Sequence, residues 1–411
     1  MRKISIVGAG QAGLQLGIGL LRAGYRVTCV SNRTPEELRG GRVMSSQCMF
    51  ESALAHERAL GLNFWDTTCP PVEGISFSVP HPEVRGAKAM DFAGRLDRPA
   101  QSVDQRIKFP RWMEHFASLG GDLRFGEVGP RELEALAEDS ELVVVASGKG
   151  ELGALFPRDA ARSPYDQPMR ALALTYVAGM ERRAEHDAVS FNLCPGVGEY
   201  FSVPAETITG PCEIMVFEGI PGGPMDAWDD ARGPADHLAR SLQILGTFFP
   251  WEAARCRRVE LTDGGGTLTG RFAPVVRAPV GVLPSGRAVL GLADAVVLSD
   301  PITGQGSGNA AKAAAAYLSA ILDRGDEPYD AAWMQQAFDR AWAGARDVVE
   351  WTNALLSPPP PHVLELLGAA CGDPRIAHRF VNGFDEPGDY KAWFMTPGAA
   401  RAYLHELGAA P

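Results

Sequence analysis

The stretch KISIVGAGQAGLQLGIGLLRAGYRVTCV, residues 3–30, constrains the fold more than any other part of the chain. A continuous apolar run reads as a buried parallel strand, and the turn Gly8-x-Gly10-x-x-Gly13 follows it. The segment to Gly24 reads as a helix and YRVTCV as a second strand. Together they form a βαβ unit of about thirty residues, the context that gives this glycine spacing its meaning. Gly8 permits the tight turn, Gly10 lets backbone approach a pyrophosphate, and Gly13 lets helix and strand pack closely. Gln11 and Ala12 complete the turn, where free N–H groups at a helix start favour phosphate. The glycine-rich run argues against a targeting signal, although basic residues precede an apolar stretch. The motif implies a dinucleotide and is silent on which one.

The second strand of such a unit commonly ends in an acid that holds the adenosine ribose. Here it ends Val30-Ser31-Asn32-Arg33. Two readings stay open. Arg33 takes a 2′-phosphate, as in NADP, or neutral Ser31 and Asn32 hold the adenosine end weakly.

Charge and cysteine usage narrow the partners. The 411 residues carry 39 Lys and Arg against 50 Asp and Glu, a net charge of −11 with no long basic run. Neither nucleic acid nor an anionic membrane is expected as a partner. No stretch approaches the ~18 apolar residues of a membrane span. The 7 cysteines form no CxxC pair, which points to reduced thiols in a cytoplasm and to no metal site.

Along the chain, GISFSVPHP, AKAMDFAGRLD, AVSFNLC, GEYFSVP and CEIMVFEGI alternate like antiparallel strands, while DSELVVVASGKG reads as another buried strand. RAVLGLADAVVLSDPITGQGSGNAAKAAAAYLSAIL reads as strand, irregular loop and long helix, and the tail is mostly helical. The expectation is an α/β fold. A Rossmann-like dinucleotide domain is assembled from 1–70, 100–165 and 280–330, a β-rich substrate domain from 71–99 and 166–279, and a helical region from 331–411.

The second glycine loop chooses among dinucleotides. Asp294 at a strand end precedes Pro301, Gly304 and Gly306, and a helix opens with Asn309 in its first turn. An NADP dehydrogenase does not need this second site. FAD does, because its ribityl chain and ring system reach beyond the first βαβ unit. Asp294 suits a ribityl hydroxyl, and the N–H groups at the helix start suit the electron-rich pyrimidine edge of a flavin.

Gly8, Gly10 and Gly13 with Asp294 and Pro301-x-x-Gly304-Gln305-Gly306-x-x-Asn309 resemble the FAD-dependent aromatic hydroxylase superfamily. Through GRVMSSQ, SVDQRIKFPRWM, ELVVVASGKG, CPGVGEYFSVP and EWTNALLSPPPPHVLELL, nearly the whole chain resembles the styrene and indole monooxygenases, the oxygenase halves of two-component flavin systems. The resemblance implies that Arg42 and Arg106 approach the flavin phosphates or ribose and that Asn309 lies near the pyrimidine edge. It implies a C4a-hydroperoxyflavin as oxidant. ASGKG lacks the Asp-Gly pair of single-component hydroxylases, so a separate NADH-dependent flavin reductase is expected to supply reduced FAD. A weakly held adenosine fits a cofactor that arrives by diffusion. A homodimer stays open.

GRVMSSQCMF, residues 41–50, contains no carboxylate and no histidine. An electrophilic oxygen transfer needs a dry surface without a base, so Ser45, Gln47 and Met49 are read as the catalytic wall. Met44, Val72, Ile75 and Ala100 are read as substrate contacts. At positions 45, 47, 49, 72, 75 and 100 the chain carries Ser, Gln, Met, Val, Ile and Ala, which resembles the indole type. Styrene enzymes tend to carry Asn, Val, His, Tyr, His and Ser there. The Gln47 carbonyl can accept an indole N–H, which styrene lacks. Epoxidation of indole, leading to indoxyl and indigo, is therefore expected, with styrene epoxidation and sulfoxidation as side activities. The alternatives are a styrene-type epoxidase, a self-sufficient NAD(P)H-dependent hydroxylase, and a flavin-binding protein without turnover.

Overall fold

The computed structural model describes residues 2–148, 151–183 and 185–408. The βαβ unit forms from strand Lys3–Val7, helix Gln11–Arg22 and strand Arg26–Ser31, with Lys3 opposite Arg26 and Val7 opposite Val30 in parallel register. It lies inside a six-stranded sheet of order Val280–Val282, Ala288–Gly291, Leu142–Val145, Lys3–Val7, Arg26–Ser31, Asp122–Phe125. Every pairing in it is parallel except that of the outermost Val280–Val282. Continuous Val, Ile and Leu runs suit such strands because both faces are covered. Ile4, Ile6 and Val144 share one core with Leu14 and Ile18, with Trp112 and Phe116 of helix Gln105–Ser118, and with Tyr317 of helix Gly306–Arg324.

A second sheet of eight strands runs in the order Glu260–Leu261, Ala171–Ala178, Gly210–Gly219, Gly198–Thr207, Ala188–Cys194, Val72–Pro80, Lys88–Ala100, with Thr267–Gly270 also paired to Ala171–Ala178. One pairing corrects the sequence reading. Val72–Pro80 runs parallel to Ala188–Cys194, with Gly74 opposite Ala188 and Ser78 opposite Asn192. Parallel neighbours need a long crossover. Here the chain leaves after Lys88–Ala100, builds strands Asp122–Phe125 and Leu142–Val145 of the first sheet, and then re-enters the second.

The edge strand Lys88–Ala100 keeps a wet face; the inner strands Val72–Pro80, Gly198–Thr207 and Gly210–Gly219 are buried along most of their length, because helices pack on both sides of the sheet. Phe77, Phe92 and Phe191 pack with Phe380, Phe384 and Tyr390 from the C-terminal helices, and the Phe77 and Phe92 rings stack at 5.2 Å. On the other face Tyr200, Met215 and Phe217 meet Ile244, Leu245 and Phe249. Helix Ala331–Leu355 joins the two cores: Trp333, Met334 and Phe338 belong to the first, Trp351 to the second. Among the described residues no helix is long and apolar enough to cross a membrane.

Candidate active site

The first glycine turn is built as its spacing demands. Gly8 has φ +110°, donates its N–H to the Val30 carbonyl at 2.9 Å, and leaves room of only 3.0 Å between an added Cβ and the Ala146 carbonyl carbon. A Cβ on Gly13 would strike the Gly8 carbonyl, whereas one on Gly10 meets nothing within 4 Å. Gly10 therefore faces open space at the start of helix Gln11–Arg22, whose first N–H groups have no side-chain cap. Ala12 is buried behind it. The Gln11 side chain turns inward, donating to Glu57 at 2.9 Å and Gln15 at 3.2 Å, and Glu57 pairs with buried Lys108 at 2.6 Å. Its contribution at the turn is thus from the backbone.

At the end of strand Arg26–Ser31 the neutral groups are already engaged. The Ser31 hydroxyl donates to the Arg33 carbonyl at 2.7 Å and accepts the Arg33 N–H at 3.2 Å. Asn32 donates to the Glu127 carboxylate at 3.2 Å. Arg33 is exposed. Glu127 escaped the sequence reading because only the pairing of Asp122–Phe125 with strand two brings it there.

The second glycine loop gathers around the end of strand Leu142–Val145. A Cβ on Gly148 would lie 2.4 Å from the Asp294 carbonyl oxygen, so the two segments touch backbone to backbone. The remainder of ASGKG, Lys149 and Gly150, lies outside the described residues. Asp294 sits in the turn Ala293–Ala295, where Ala293 holds φ +53°, a strained setting for a residue with a Cβ. Asp300 caps the next turn by accepting the Ile302 N–H at 3.1 Å, Pro301 opens it, and Gly304 closes it at φ +65°. Helix Gly306–Arg324 then starts without a side-chain cap, because Gln305 donates instead to the Phe384 carbonyl at 2.7 Å. A Cβ on Gly304 or Gly306 would meet nothing within 4 Å. The Asn309 Nδ2 is buried without a hydrogen-bond partner among the described residues. Asp294, Gly306 and Asn309 line one cleft together with Tyr317, Phe338 and Trp342.

Behind Asp300 lies a sealed acidic group. Glu218, Glu199 and Asp300 are 0%, 2% and 2% exposed, and Arg170 is their buried cation, bound to Glu199 at 2.7 and 2.9 Å. Burial, then the charges of Asp300 and Glu199, push the Glu218 carboxyl well above the usual carboxylate range.

The decamer 41–50 enters from the second sheet. Arg106 is fully buried, held by Asp104 at 2.9 Å, by Asp263 at 2.8 and 2.9 Å and by Thr207 at 3.2 Å, and it reaches the Gly41 carbonyl at 3.4 Å. Arg42 is exposed and donates to the Thr267 carbonyl at 3.2 Å. Both arginines are thus engaged by the protein itself, Arg106 chiefly by two carboxylates and Arg42 by a backbone carbonyl. Ser45 donates to its neighbour's carbonyl at 2.6 Å, while its own carbonyl accepts the Tyr176 hydroxyl at 2.9 Å. Gln47 is buried, its Nε2 donating to the Val103 carbonyl and its Oε1 left without a partner among the described residues. Because Val103 presents a carbonyl, the amide must face it through nitrogen, which leaves the oxygen for another donor.

The residues read as substrate contacts and catalytic wall fall into different packing clusters. Val72 stands opposite Ala100 and Ile75 opposite Gly94; Val72, Ile75 and Ala100 lie in the core that also holds Val43, Cys48 and Phe50. Met49 pairs its backbone with Gln101 at 2.7 and 2.9 Å, yet packs its side chain separately, with Ala53, Leu54 and Ala311. Met44 packs against the first-sheet core.

Two uncapped helix starts, open positions at Gly10, Gly304 and Gly306, and the orphan donor of Asn309 fit a flavin dinucleotide extended across both glycine loops. The fold agrees. A flavoprotein/dehydrogenase from Cytophaga hutchinsonii superposes with a TM-score of 0.70 at 13% identity, covering 99% of this chain and 100% of its own. The flavin-dependent brominase Bmp2 superposes with 0.65 at 15% identity, covering 98% and 99%. The architecture is therefore the Rossmann-like α/β fold of flavin-dependent enzymes. Residues 148–255 match the family model described as the styrene monooxygenase A putative substrate binding domain. Over 407 residues the chain is 30% identical to styrene monooxygenase StyA of Pseudomonas fluorescens, with 96% of each chain covered, and StyA of a Pseudomonas sp is similar to the same degree. The chain belongs to the styrene monooxygenase family.

Proposed function

We propose that the chain is the oxygenase component of a two-component flavin monooxygenase that epoxidises the C2=C3 bond of indole. It takes reduced FAD from a separate NADH-dependent reductase and uses O2, with styrene epoxidation and sulfoxidation as side activities. The 30% identity to StyA over 96% of the chain carries the reaction class. The indole assignment rests on the indole-type residues at positions 45, 47, 49, 72, 75 and 100, and its structural support is the buried Gln47 Oε1, without a partner among the described residues.

When bound, reduced FAD supplies the activated oxygen. The chain's residues do the rest. In this reading segments 1–70, 100–165 and 280–330 hold the cofactor, and 71–99 with 166–279 form the substrate side. The N–H groups following Gly10 hold the pyrophosphate, Asp294 accepts from the ribityl chain, and Asn309 Nδ2 donates to the pyrimidine edge. Gln47 Oε1 accepts the indole N–H and orients the ring. Val72, Ile75 and Ala100, each at most 1% exposed, keep the wall behind it dry. No carboxylate or histidine of the decamer competes for a proton there.

A styrene-type epoxidase is the second reading, favoured by the name of the relatives. Supplying chemically reduced FAD and O2 with indole, styrene and thioanisole, followed by product analysis, separates the two. Indole as the best substrate, with indigo appearing, supports the proposal. A styrene preference assigns the styrene type. Steady NAD(P)H oxidation by the isolated chain with oxidised FAD would overturn the two-component reading.

A further inference from the structure

The absence of an acid at the end of strand Arg26–Ser31 leaves the adenosine end of the cofactor without an obvious acceptor. We infer that Glu127, delivered by the neighbouring strand, is the carboxylate that accepts the adenosine ribose hydroxyls; the inference rests on the FAD reading.

Strand Asp122–Phe125 runs parallel to Arg26–Ser31 with Phe125 opposite Ser31, so residues 126–127 emerge at the same sheet end as residues 32–33. The Gly126 N–H continues the ladder to the Ser31 carbonyl at 2.9 Å and fixes where Glu127 begins. Glu127 Oε1 then accepts from Asn32 at 3.2 Å, across the top of strand two. A carboxylate has about four lone-pair sites, so one bond from Asn32 leaves capacity for a ribose diol. The rival acceptor is weaker, since the Ser31 hydroxyl already bonds both the carbonyl and the N–H of Arg33. Asn32 thus becomes a positioning residue, and its neutral side chain is useful because it can donate to the acid.

The same charge bears on cofactor choice. Arg33 is exposed at this end and by itself would favour a 2′-phosphate. A carboxylate bound to the adjacent Asn32 repels that phosphate while accepting from an unmodified ribose. Glu127 therefore selects FAD and ADP against the adenosine half of NADP.

The test is anaerobic calorimetric titration of the purified chain, wild type and Glu127→Ala, with dithionite-reduced FAD, reduced FMN, ADP and 2′,5′-ADP. Reduced FMN lacks the adenosine half and serves as the internal control. Loss of the acceptor is expected to weaken reduced FAD and ADP about tenfold, to leave FMN unchanged, and to narrow the preference for ADP over 2′,5′-ADP. Glu127 is exposed, so the melting temperature should stay put. FAD affinity within about twofold of wild type, or an equal loss for FAD and FMN, overturns the inference while the FAD reading stands. A wild-type chain that binds neither FAD nor ADP overturns both.

Discussion

Gly13 presses so closely on Gly8 that a Cβ at residue 13 would lie 1.9 Å from the Gly8 carbonyl oxygen. Gly13→Ala should therefore destabilise the fold by about 3 kcal/mol or more and abolish flavin binding, since neither backbone can yield. Gly10→Ala should behave differently. Its Cβ meets no protein atom within 4 Å, so stability should change by less than about 1 kcal/mol while FAD affinity falls. Thermal melts paired with flavin titrations check both, and an unstable Gly10→Ala or a well-folded, FAD-binding Gly13→Ala would refute the assignment of roles.

The buried Glu218 should make stability fall as pH rises. Unfolded, it ionises in the ordinary carboxyl range; folded, burial and its acidic neighbours hold its proton to higher pH. Between those values the folded state binds more protons, so stabilisation present at low pH is lost on raising it. Glu218→Gln keeps a neutral side chain and removes the titration. Urea midpoints at about pH 5 and pH 8.5 should show the variant gaining about 1–3 kcal/mol relative to wild type at the higher pH. Identical pH slopes for the two proteins would show that Glu218 ionises normally.

Arg106→Ala should act through folding before it acts through flavin. It strands the Asp104 carboxylate, whose side chain is 1% exposed, without its counter-ion. The expected loss is about 3–5 kcal/mol. A variant that melts like wild type but binds reduced FAD poorly would instead place Arg106 directly at the cofactor.

Gln47→Val removes the acceptor proposed for the indole N–H. The ratio of kcat/KM for indole over styrene should drop about tenfold or more, because a buried polar group of the substrate loses its partner. If Gln47 only packs, both substrates suffer alike and the ratio holds. Measurement under one fixed supply of reduced FAD decides.

How much of this was legible beforehand depends on the range of each interaction. The glycine turn, its strands and the loop from Asp294 to Asn309 follow from local rules, since each glycine's neighbour lies within a few residues or at a fixed strand end. The engagement of Arg106 by Asp263 and the separation of Met49 from Val72 depend on contacts between distant segments, which spacing does not report. Strand Ala171–Ala178 went unread although it is paired on both sides within the second sheet. The role inferred for Glu127 needed the strand order, because nothing in DLRFGEV distinguishes one surface acid from another.

The parallel pairing of Val72–Pro80 with Ala188–Cys194 has a consequence for assembly during synthesis. The hairpin of Val72–Pro80 with Lys88–Ala100 can form early, but its next neighbour is made only after residues 101–187 have emerged. Those residues include strands of the other sheet, so the hairpin waits with an uncovered edge and exposed Phe77 and Phe92 while that sheet is built. Pairings of such sequence separation are slow to close, and open strand edges are where chains aggregate. The helices that finally cover those phenylalanines come last, at residues 361–406. Truncation before residue 361 should therefore yield insoluble chain rather than a working core, with the C-terminal helices serving as the closing step of folding.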